Sequence, residues 1–231
     1  MPLSQNLKQA RKACGLTQAQ VHERTGIGAS SLSEFETGAR EPSVSQLGKL
    51  ASFYHVGVER LLSGTSLASP QVLWRERPAA RRKEIEARFT ELCRWYHNLE
   101  TWTGEDRTQA LQHEEGEAAR FHFRQAEGLA KRFRDTYQLG DYPAHSLRSV
   151  LEEVCGVMVF HLDFEPTGTA ACAHDGQFGS AILLNQNNSR RRRNFDLAHE
   201  LFHLLTWNIF PDRNGASGIA PEGEEKIAQA F

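Results

Sequence analysis

Two histidines four residues apart, with a glutamate beside the first, lie in the segment NFDLAHELFHLLTW over residues 194–207. In an α-helix, residues at this spacing lie one above the other on the same face. His199 and His203 can therefore aim their imidazoles at one metal ion, and zinc prefers nitrogen ligands in a tetrahedral array. Glu200 can reach a water on that metal, whose pKa zinc lowers to about 7. The carboxylate would take the proton and later hand it to a leaving amine.

A zinc site of this type needs a third protein ligand, and the last segment, EGEEKIAQAF, offers one. Glu225, Ala228 and Phe231 share a helix face at a spacing of three, and the small alanine leaves room beside a metal-facing carboxylate. Glu224 and Glu222 are the alternatives on the same segment. More distant candidates are His161, His174 and Asp196. A competing interpretation makes the histidine pair ordinary hydrogen-bonded residues on a partly buried helix.

The elements around these residues mix helices and strands. Residues 157–162 form an apolar run rich in β-formers, which predicts a strand. Asp175-Gly176 is a hairpin signal between two further predicted strands, 169–174 and 178–184. Helices are predicted over 146–154 and 195–207, and the apolar leucines of the latter anchor it in the core. The pattern indicates an α+β domain.

The front of the chain reads instead as five short helices between Ser4 and Leu62. Thr17 with Gln20 is a capping-box pattern, which starts a second helix that Gly26 ends. A third helix is predicted over 30–37, before Gly38, and Ser43 caps a fourth. A capped helix, a short glycine-containing turn and a second short helix make a helix-turn-helix.

The third helix of such a motif lies in the major groove of DNA. The spacing predicts that its polar side chains face bases or phosphates, and that the Gln18 amide holds a phosphate near the start of the second helix. The predicted reading residues are Ser30, Ser31, Ser33, Glu34 and Thr37. The alternative is a helical bundle used only for protein contact.

The sequence of the middle of the chain indicates a linker over 65–104 that contains a helix over 79–100. Ile85, Phe89, Leu92, Tyr96 and Leu99 follow the spacing of a coiled-coil seam, so this helix either pairs in a homodimer or packs on its own chain. A further helical run is predicted over 106–138.

Composition limits the class of protein. The 231 residues suit two domains, and the net charge of −2 excludes a polybasic nucleic-acid binder over the whole length. No apolar run is long enough for a membrane helix, and no signal core follows Met1, so we expect a cytoplasmic protein without a membrane partner. The cysteines are predicted to be reduced and buried, namely Cys14, Cys93, Cys155 and Cys172.

The N-terminal segment GLTQAQVHERTGIGASSLSEFETGAREPSVSQLGKLASFYHVGVERLL resembles the Xre/Cro-type phage repressor family along its full length. The matching features include Leu16-Thr17-Gln18, Ser33, Glu36, Gly38, Arg40 and Pro42. The resemblance implies an operator-binding domain, and Arg40 completes the predicted DNA-binding set. The family often carries Arg or Lys where this chain has Ala29 and Glu34, which removes phosphate attraction.

Residues 117–231 resemble the ImmA/IrrE family of bacterial zinc metallopeptidases. The matching pieces are LEEVCGVMVF, SAILLN, Arg193 with FDLAHELFHLL, and EEKIAQAF. The resemblance implies a zincin-like fold, with His199, His203 and Glu225 as zinc ligands and Glu200 as catalytic base. Family members cleave repressor proteins. The family usually continues with more helix beyond the final Phe, so we expect the domain to be C-terminally incomplete.

Together these observations predict a helix-turn-helix domain over 1–64, a linker over 65–104 and a metallopeptidase domain over 105–231. The expected protein is a DNA-binding transcriptional regulator that carries a metal-dependent endopeptidase. The expected metal is Zn²⁺, with Mn²⁺ as the alternative. The protein would bind operator DNA, as a homodimer, and cleave a repressor protein or itself on a signal. The alternative is a non-catalytic, antitoxin-like regulator whose metal domain senses a ligand or partner. The run Arg190-Arg191-Arg192-Arg193 is expected to be local exposed charge, or else a basic patch for DNA or an acidic substrate.

Overall fold

A computed structural model describes residues 2–63, 70–104, 110–210 and 222–231. The chain divides into two compact units, one made of residues 1–69 with 80–95 and the other of residues 70–79 with 96–231. Within the described ranges, no helix has both the length and the apolar character needed to cross a membrane. The predicted boundaries at 64 and 104 stay predictions.

The first unit begins with five short helices, as the sequence predicts. They are α1 (Leu3–Ala13), α2 (Gln18–Thr25), α3 (Ala29–Thr37), α4 (Val44–Phe53) and α5 (Val58–Leu62). Leu7, Val21, Leu32, Phe35 and Leu50 come from four different helices and meet in one buried core. This burial holds the helices together, because helices this short are marginal in isolation.

Local signals set the ends of these helices. Thr17 and Gln20 form both hydrogen bonds of the capping box that the sequence predicts, and Ser43 with Gln46 forms a second. Gly26 and Gly38 end α2 and α3 in the left-handed conformation, with φ of 71° and 81°. A side chain at either glycine would strain the turn, so the helix-turn-helix geometry is encoded locally.

The second unit is built on a four-stranded sheet of order β1-β3-β4-β2. Its strands are β1 (Val72–Trp74), β2 (Met158–Leu162), β3 (Ala170–Asp175) and β4 (Gly179–Asn185). β3 and β4 form the predicted hairpin, and β2 runs parallel to β4. β1 pairs antiparallel with β3, with Leu73 opposite Cys172. The sequence analysis does not predict β1, because three residues are too short to show alternation.

Helices make up most of the remaining regular structure, and the first of them begins in the first unit and ends in the second. They are α6 (Arg82–Thr103), α7 (Phe123–Thr136), α8 (Leu147–Ser149, continued as a π-helix over Val150–Val154), α9 (Arg190–Leu205) and α10 (Glu222–Ala228), with 3₁₀ turns at Ala118–Arg120 and Pro143–His145. α9 starts five residues earlier than predicted, since Ser189 caps it by accepting a hydrogen bond from the Arg192 amide. The arginine run is therefore the first turn of this helix.

The predicted helix over 106–138 is wrong for residues 110–117, which are not helical; residues 105–109 lie outside the described residues. This segment closes the end of α9 instead. The Glu114 amide donates to the Leu205 carbonyl at 2.6 Å, and the His113 Nδ1 donates to the Leu204 carbonyl at 2.6 Å. The last carbonyls of a helix lack intrahelical partners, and these bonds satisfy two of them. Tertiary contact thus overrides helical propensity here.

α9 packs its apolar side on the sheet, where Leu197, Leu201 and Leu204 join Ile182 and Leu184 in one core. The helix cannot rotate without exposing these leucines, so the opposite side of α9 has a fixed direction. All four cysteines are free and buried, as predicted. A helical first unit and a mixed second unit confirm the predicted α+β class.

Replacing Trp74 by Ala should destabilise the second unit by about 3–5 kcal/mol, the usual cost for a fully buried aromatic side chain. Trp74 is 0% exposed and packs edge-on against Phe164 with ring centroids 5.4 Å apart. Trp102→Ala is the matched control, because Trp102 is 77% exposed. Chemical denaturation followed by circular dichroism measures both. Equal losses in the two variants would contradict the integration of β1 into the sheet.

Candidate functional site

The side of α9 opposite the leucine core carries the polar residues that the sequence singles out. His199, Glu200 and His203 are 2%, 0% and 1% exposed. Buried titratable groups cost free energy unless they are paired or bind a metal. The partners of these three residues therefore decide what the site can do.

α10 supplies the partners. The His199 Nε2 lies 3.0 Å from the Glu225 Oε2, and the His203 Nε2 lies 3.2 Å from the Glu225 Oε1. The two Nε2 atoms are 3.2 Å apart, and all three potential ligand atoms lie within 4.8 Å of one another. With bonds of ~2.0–2.1 Å and tetrahedral angles, zinc ligand atoms are about 3.3 Å apart. The donor set and its spacing fit zinc.

Glu224 contacts the other nitrogen of His203. The His203 Nδ1 lies 2.7 Å from the Glu224 Oε1, and both side chains are almost fully buried. A carboxylate in this position keeps the proton on Nδ1 and turns the lone pair of Nε2 toward the cluster. Glu224, an alternative third ligand in the sequence analysis, therefore orients His203 in this structure and lies outside the three-residue cluster.

The charges around the cluster favour a cation. Burial by itself lowers the pKa of His203, but the hydrogen bonds with Glu224 and Glu225 outweigh it and raise the pKa to about 9. Burial raises the pKa of Glu225, yet the contacts with His199 and His203 prevail and lower it to about 2. Both pKa shifts favour a positive charge within the cluster, which is the charge that a bound metal ion would supply. Two nitrogen donors favour zinc over manganese, so the Mn²⁺ alternative gains no support.

Glu200 is fully buried beside this cluster. Burial raises the pKa of its carboxyl to about 8, while the charge of His203 and the Cys172 thiol act in the lowering direction. Neither carboxyl oxygen accepts a hydrogen bond from an N–H or O–H group in the described part of the chain. A carboxyl with a pKa near neutrality and free acceptor positions can take up and release a proton.

His199 is held differently from His203. Its ring stacks on Phe195, with centroids 6.0 Å apart and planes at 27°. The guanidinium carbons of Arg75 and Arg192 lie 5.0 and 5.4 Å from the Phe195 centroid. Burial lowers the pKa of His199, and the positive charge of Arg75 is among the smaller contributions in the same direction. Arg75 follows β1, and the sequence analysis did not identify it.

The other ligand candidates lie elsewhere. Glu222 is exposed and pairs with Lys226 at 2.6 Å. Asp196 is buried among Arg192, Asn188 and Arg75. His161 belongs to β2, while the His174 Nδ1 lies 3.0 Å from the Ser180 Oγ. Among the described residues, none of these joins the cluster of His199, His203 and Glu225.

In the first unit, three of the predicted DNA contacts, Gln18, Ser33 and Thr37, line one surface groove. The Gln18 Nε2 donates to the Glu36 Oε2 at 3.1 Å, and the Arg11 guanidinium holds the same carboxylate through bonds of 2.6 and 2.8 Å. This network fixes Gln18 at the start of α2. The groove is completed by four residues that the sequence analysis does not assign to DNA contact, namely Lys8, Arg11, Thr17 and Glu36.

The remaining predicted DNA contacts differ in exposure. Ser30 is exposed on α3, whereas Ser31 is half-buried, one position around the helix. Glu34 pairs with Arg40 at 3.2 Å, and both side chains are about half exposed. The Arg40 guanidinium also lies 5.1 Å from the Phe35 ring centroid. Arg40 therefore partly offsets the negative charge that Glu34 places on α3.

Two family models match the chain. Residues 7–61 match the helix-turn-helix model, and residues 152–206 match the IrrE N-terminal-like domain. The second match includes His199, Glu200 and His203 and ends before Glu225. Both resemblances drawn from the motifs are thereby confirmed at the level of domains.

Curated relatives match about a quarter of the chain. The HTH-type transcriptional regulator ImmR of Bacillus subtilis (strain 168) is 39% identical over 62 residues, 27% of this chain and 49% of that protein. The uncharacterized HTH-type transcriptional regulator YobD of the same organism is 38% identical over 68 residues, 29% of this chain and 61% of that protein. The HTH-type transcriptional activator BcrR of Enterococcus faecalis is 31% identical over 67 residues, 29% of this chain and 33% of that protein. In each case the chain covers less than two thirds of the relative.

Zinc affinity should separate the three glutamates of α10. Glu224→Ala should weaken zinc binding by roughly 10–100-fold, as for other carboxylates that orient a ligand histidine, and Glu225→Ala should weaken it further. Glu222→Ala is the control and should leave the affinity unchanged, because this carboxylate is exposed. Competition with a chromophoric chelator measures all three. A larger loss of zinc affinity for Glu224→Ala than for Glu225→Ala would contradict the assignment of Glu225 as the ligand and Glu224 as the residue that orients His203.

Proposed function

We propose that this chain is a transcription regulator that binds operator DNA and carries a zinc-dependent endopeptidase. The proposal starts from the presence of a helix-turn-helix domain and an IrrE N-terminal-like domain in one chain. The peptidase cleaves a repressor protein, or this chain itself, in response to a signal. The observation that supports the enzymatic part is the convergence of His199, His203 and Glu225 within 4.8 Å, with the buried Glu200 next to it.

In this proposal, His199, His203 and Glu225 hold the zinc ion. Zinc, when bound, acts as a Lewis acid on a carbonyl and lowers the pKa of water. Glu200 takes a proton from the attacking water and later delivers it to the amine that leaves. Its pKa of about 8 without metal suits a group that must both accept and return a proton near neutrality. Glu224 keeps His203 in the required tautomer.

The DNA-binding part rests on the first unit. α3 presents Ser33 and Thr37 to the groove that also holds Gln18, so polar donors and acceptors line one surface. Lys8 adds a positive charge to that groove, where the charge of Arg11 is paired with Glu36, and so partly compensates for the absence of a basic residue on α3. The curated relatives are named as transcriptional regulators, which agrees with this assignment. A homodimer would let two such units read paired half-sites.

Cleavage tests the peptidase directly. The purified protein with zinc and candidate repressor proteins should yield fragments, and Glu200→Gln should reduce the rate by at least about 100-fold, the lower end of general acid–base contributions. Zinc content measured by elemental analysis should be equal in both proteins. Metal binding and operator binding without any cleaved peptide would support the sensing alternative and overturn the endopeptidase.

Lys8→Ala should weaken binding to the DNA upstream of its own gene and lower the slope of log affinity against log salt by about 0.9, since one phosphate contact is lost. Lys49→Ala removes the same charge from an exposed position on α4 and is the control. Fluorescence anisotropy at several stated salt concentrations measures the slopes. Equal slopes for wild type and Lys8→Ala would show that Lys8 contacts no phosphate and would contradict the place of this groove in the DNA interface.

A further inference from the structure

Arg75 lies against the Phe195 ring that stacks on His199, although it comes from the start of the second unit. Its amide donates to the Ala170 carbonyl at 3.3 Å, and the next residue, Glu76, exchanges hydrogen bonds with Thr169 at 3.0 and 2.7 Å. The backbone on which Arg75 sits is therefore fixed by the sheet. A side chain on such a rigid element is preorganised for binding.

The guanidinium of Arg75 reaches the immediate surroundings of His199. Its carbon lies 5.0 Å from the centroid of Phe195, which in turn stacks on the His199 ring. The Arg75 side chain is 22% exposed and the Phe195 residue is 44% exposed. Arg75 therefore lies where a molecule bound at the metal centre can meet it.

The charge of Arg75 is only partly compensated. The carboxylate of Asp196 accepts a hydrogen bond from the Arg192 Nε at 2.8 Å and another from the Asn188 amide at 2.8 Å. Arg75 is left with a longer ion pair to the same carboxylate, in which its Nη1 lies 3.6 Å from the Oδ1. This buried Nη1 donates no hydrogen bond to any described residue. Two guanidinium groups thus share one carboxylate. The donors that Arg75 keeps for another partner are Nε and Nη2, which are not among its buried atoms, rather than the buried Nη1.

The first turn of α9 adds to this positive potential. Arg190, Arg191, Arg192 and Arg193 occupy a helix N-terminus, where the helix dipole favours negative charge and disfavours cations. Four successive cations at a helix N-terminus are electrostatically unfavourable, and such a departure from local preference is typical of a functional site. Within this run Arg190 and Arg191 are exposed, and Arg192 shares Asp196 with Arg75.

We propose that Arg75 binds a carboxylate of the substrate next to the metal centre and so selects peptides that carry one there. This inference rests on the proposed peptidase function and adds its substrate class. Arginine presents a planar fork of donors that matches a carboxylate. Arg192 takes the closer contact with Asp196, so the charge of Arg75 is left only partly compensated by the protein. The carboxylate belongs either to an acidic side chain or to a free C-terminus.

Binding of short fluorescent peptides to the zinc-loaded Glu200→Gln chain distinguishes these sources. One pool carries Asp or Glu at a scanned position with an amidated C-terminus, a second carries Asn or Gln there, and a third is neutral with a free C-terminus. We expect the first or third pool to bind at least about tenfold more tightly than the second, the usual gain from a charged hydrogen bond. Equal binding by all pools would overturn the carboxylate role and leave the peptidase standing. No binding by any pool would overturn both.

Variants assign the effect to Arg75. Arg75→Gln should abolish the preference for the carboxylate pool without changing the affinity for the Asn/Gln pool, which a purely structural role would also lower. Arg75→Lys should keep part of the preference, and Arg75→Glu should transfer it to peptides with Lys at that position. Arg148→Gln, which removes an exposed arginine that pairs with Glu152 at 2.9 Å, is the control and should keep the full preference. Thermal melting and zinc content show that each variant is folded. A preference that survives in folded Arg75→Gln would refute the assignment.

Discussion

The site depends on one constraint, the burial of α9 against the sheet. The leucines of this helix are held in the core, and the rest of its surface buries two imidazoles and a carboxyl, those of His199, His203 and Glu200. Such groups are tolerated in an interior only when partners satisfy them. α10 provides those partners as Glu224 and Glu225, which are adjacent in sequence yet contact different nitrogens of His203. The same contacts that solve the burial problem create a cluster with the spacing of a zinc site.

The two histidines are held by different physical means. His203 has a carboxylate on its outer nitrogen, which fixes its tautomer. His199 has a buried Nδ1 without a hydrogen-bond partner among the described residues, and its ring is fixed by the stack on Phe195. That stack is bordered by Arg75 and Arg192, whose charges meet on Asp196. The aromatic contact therefore links the cluster of His199, His203 and Glu225 to the positive charges of Arg75 and Arg192.

The sheet supports α9 and also places residues of its own near the site. β1 extends it on the outer side of β3 and places Leu73 opposite Cys172, the thiol of which lies against Glu200. The residue after β1 is Arg75, so the strand that completes the core also carries a charge into the site. In the first unit one ion pair likewise has two roles. The Arg11–Glu36 pair joins α1 to α3, and its carboxylate also holds Gln18 in the groove.

The sequence by itself determined the features that depend on neighbours in the chain. Capping residues, glycines and apolar periodicity predicted the five helices of the first unit and the hairpin, and the spacing of His199 and His203 predicted that they share a helix face. Between Glu225, Glu224 and Glu222 the residue pattern left the choice open. Only tertiary packing separates them, since contact across 21 to 26 residues depends on how α10 lies on α9. The same holds for β1, Arg75 and the segment that closes α9: their places are set by long-range hydrogen bonds and ion pairs, which leave no periodic trace in the sequence.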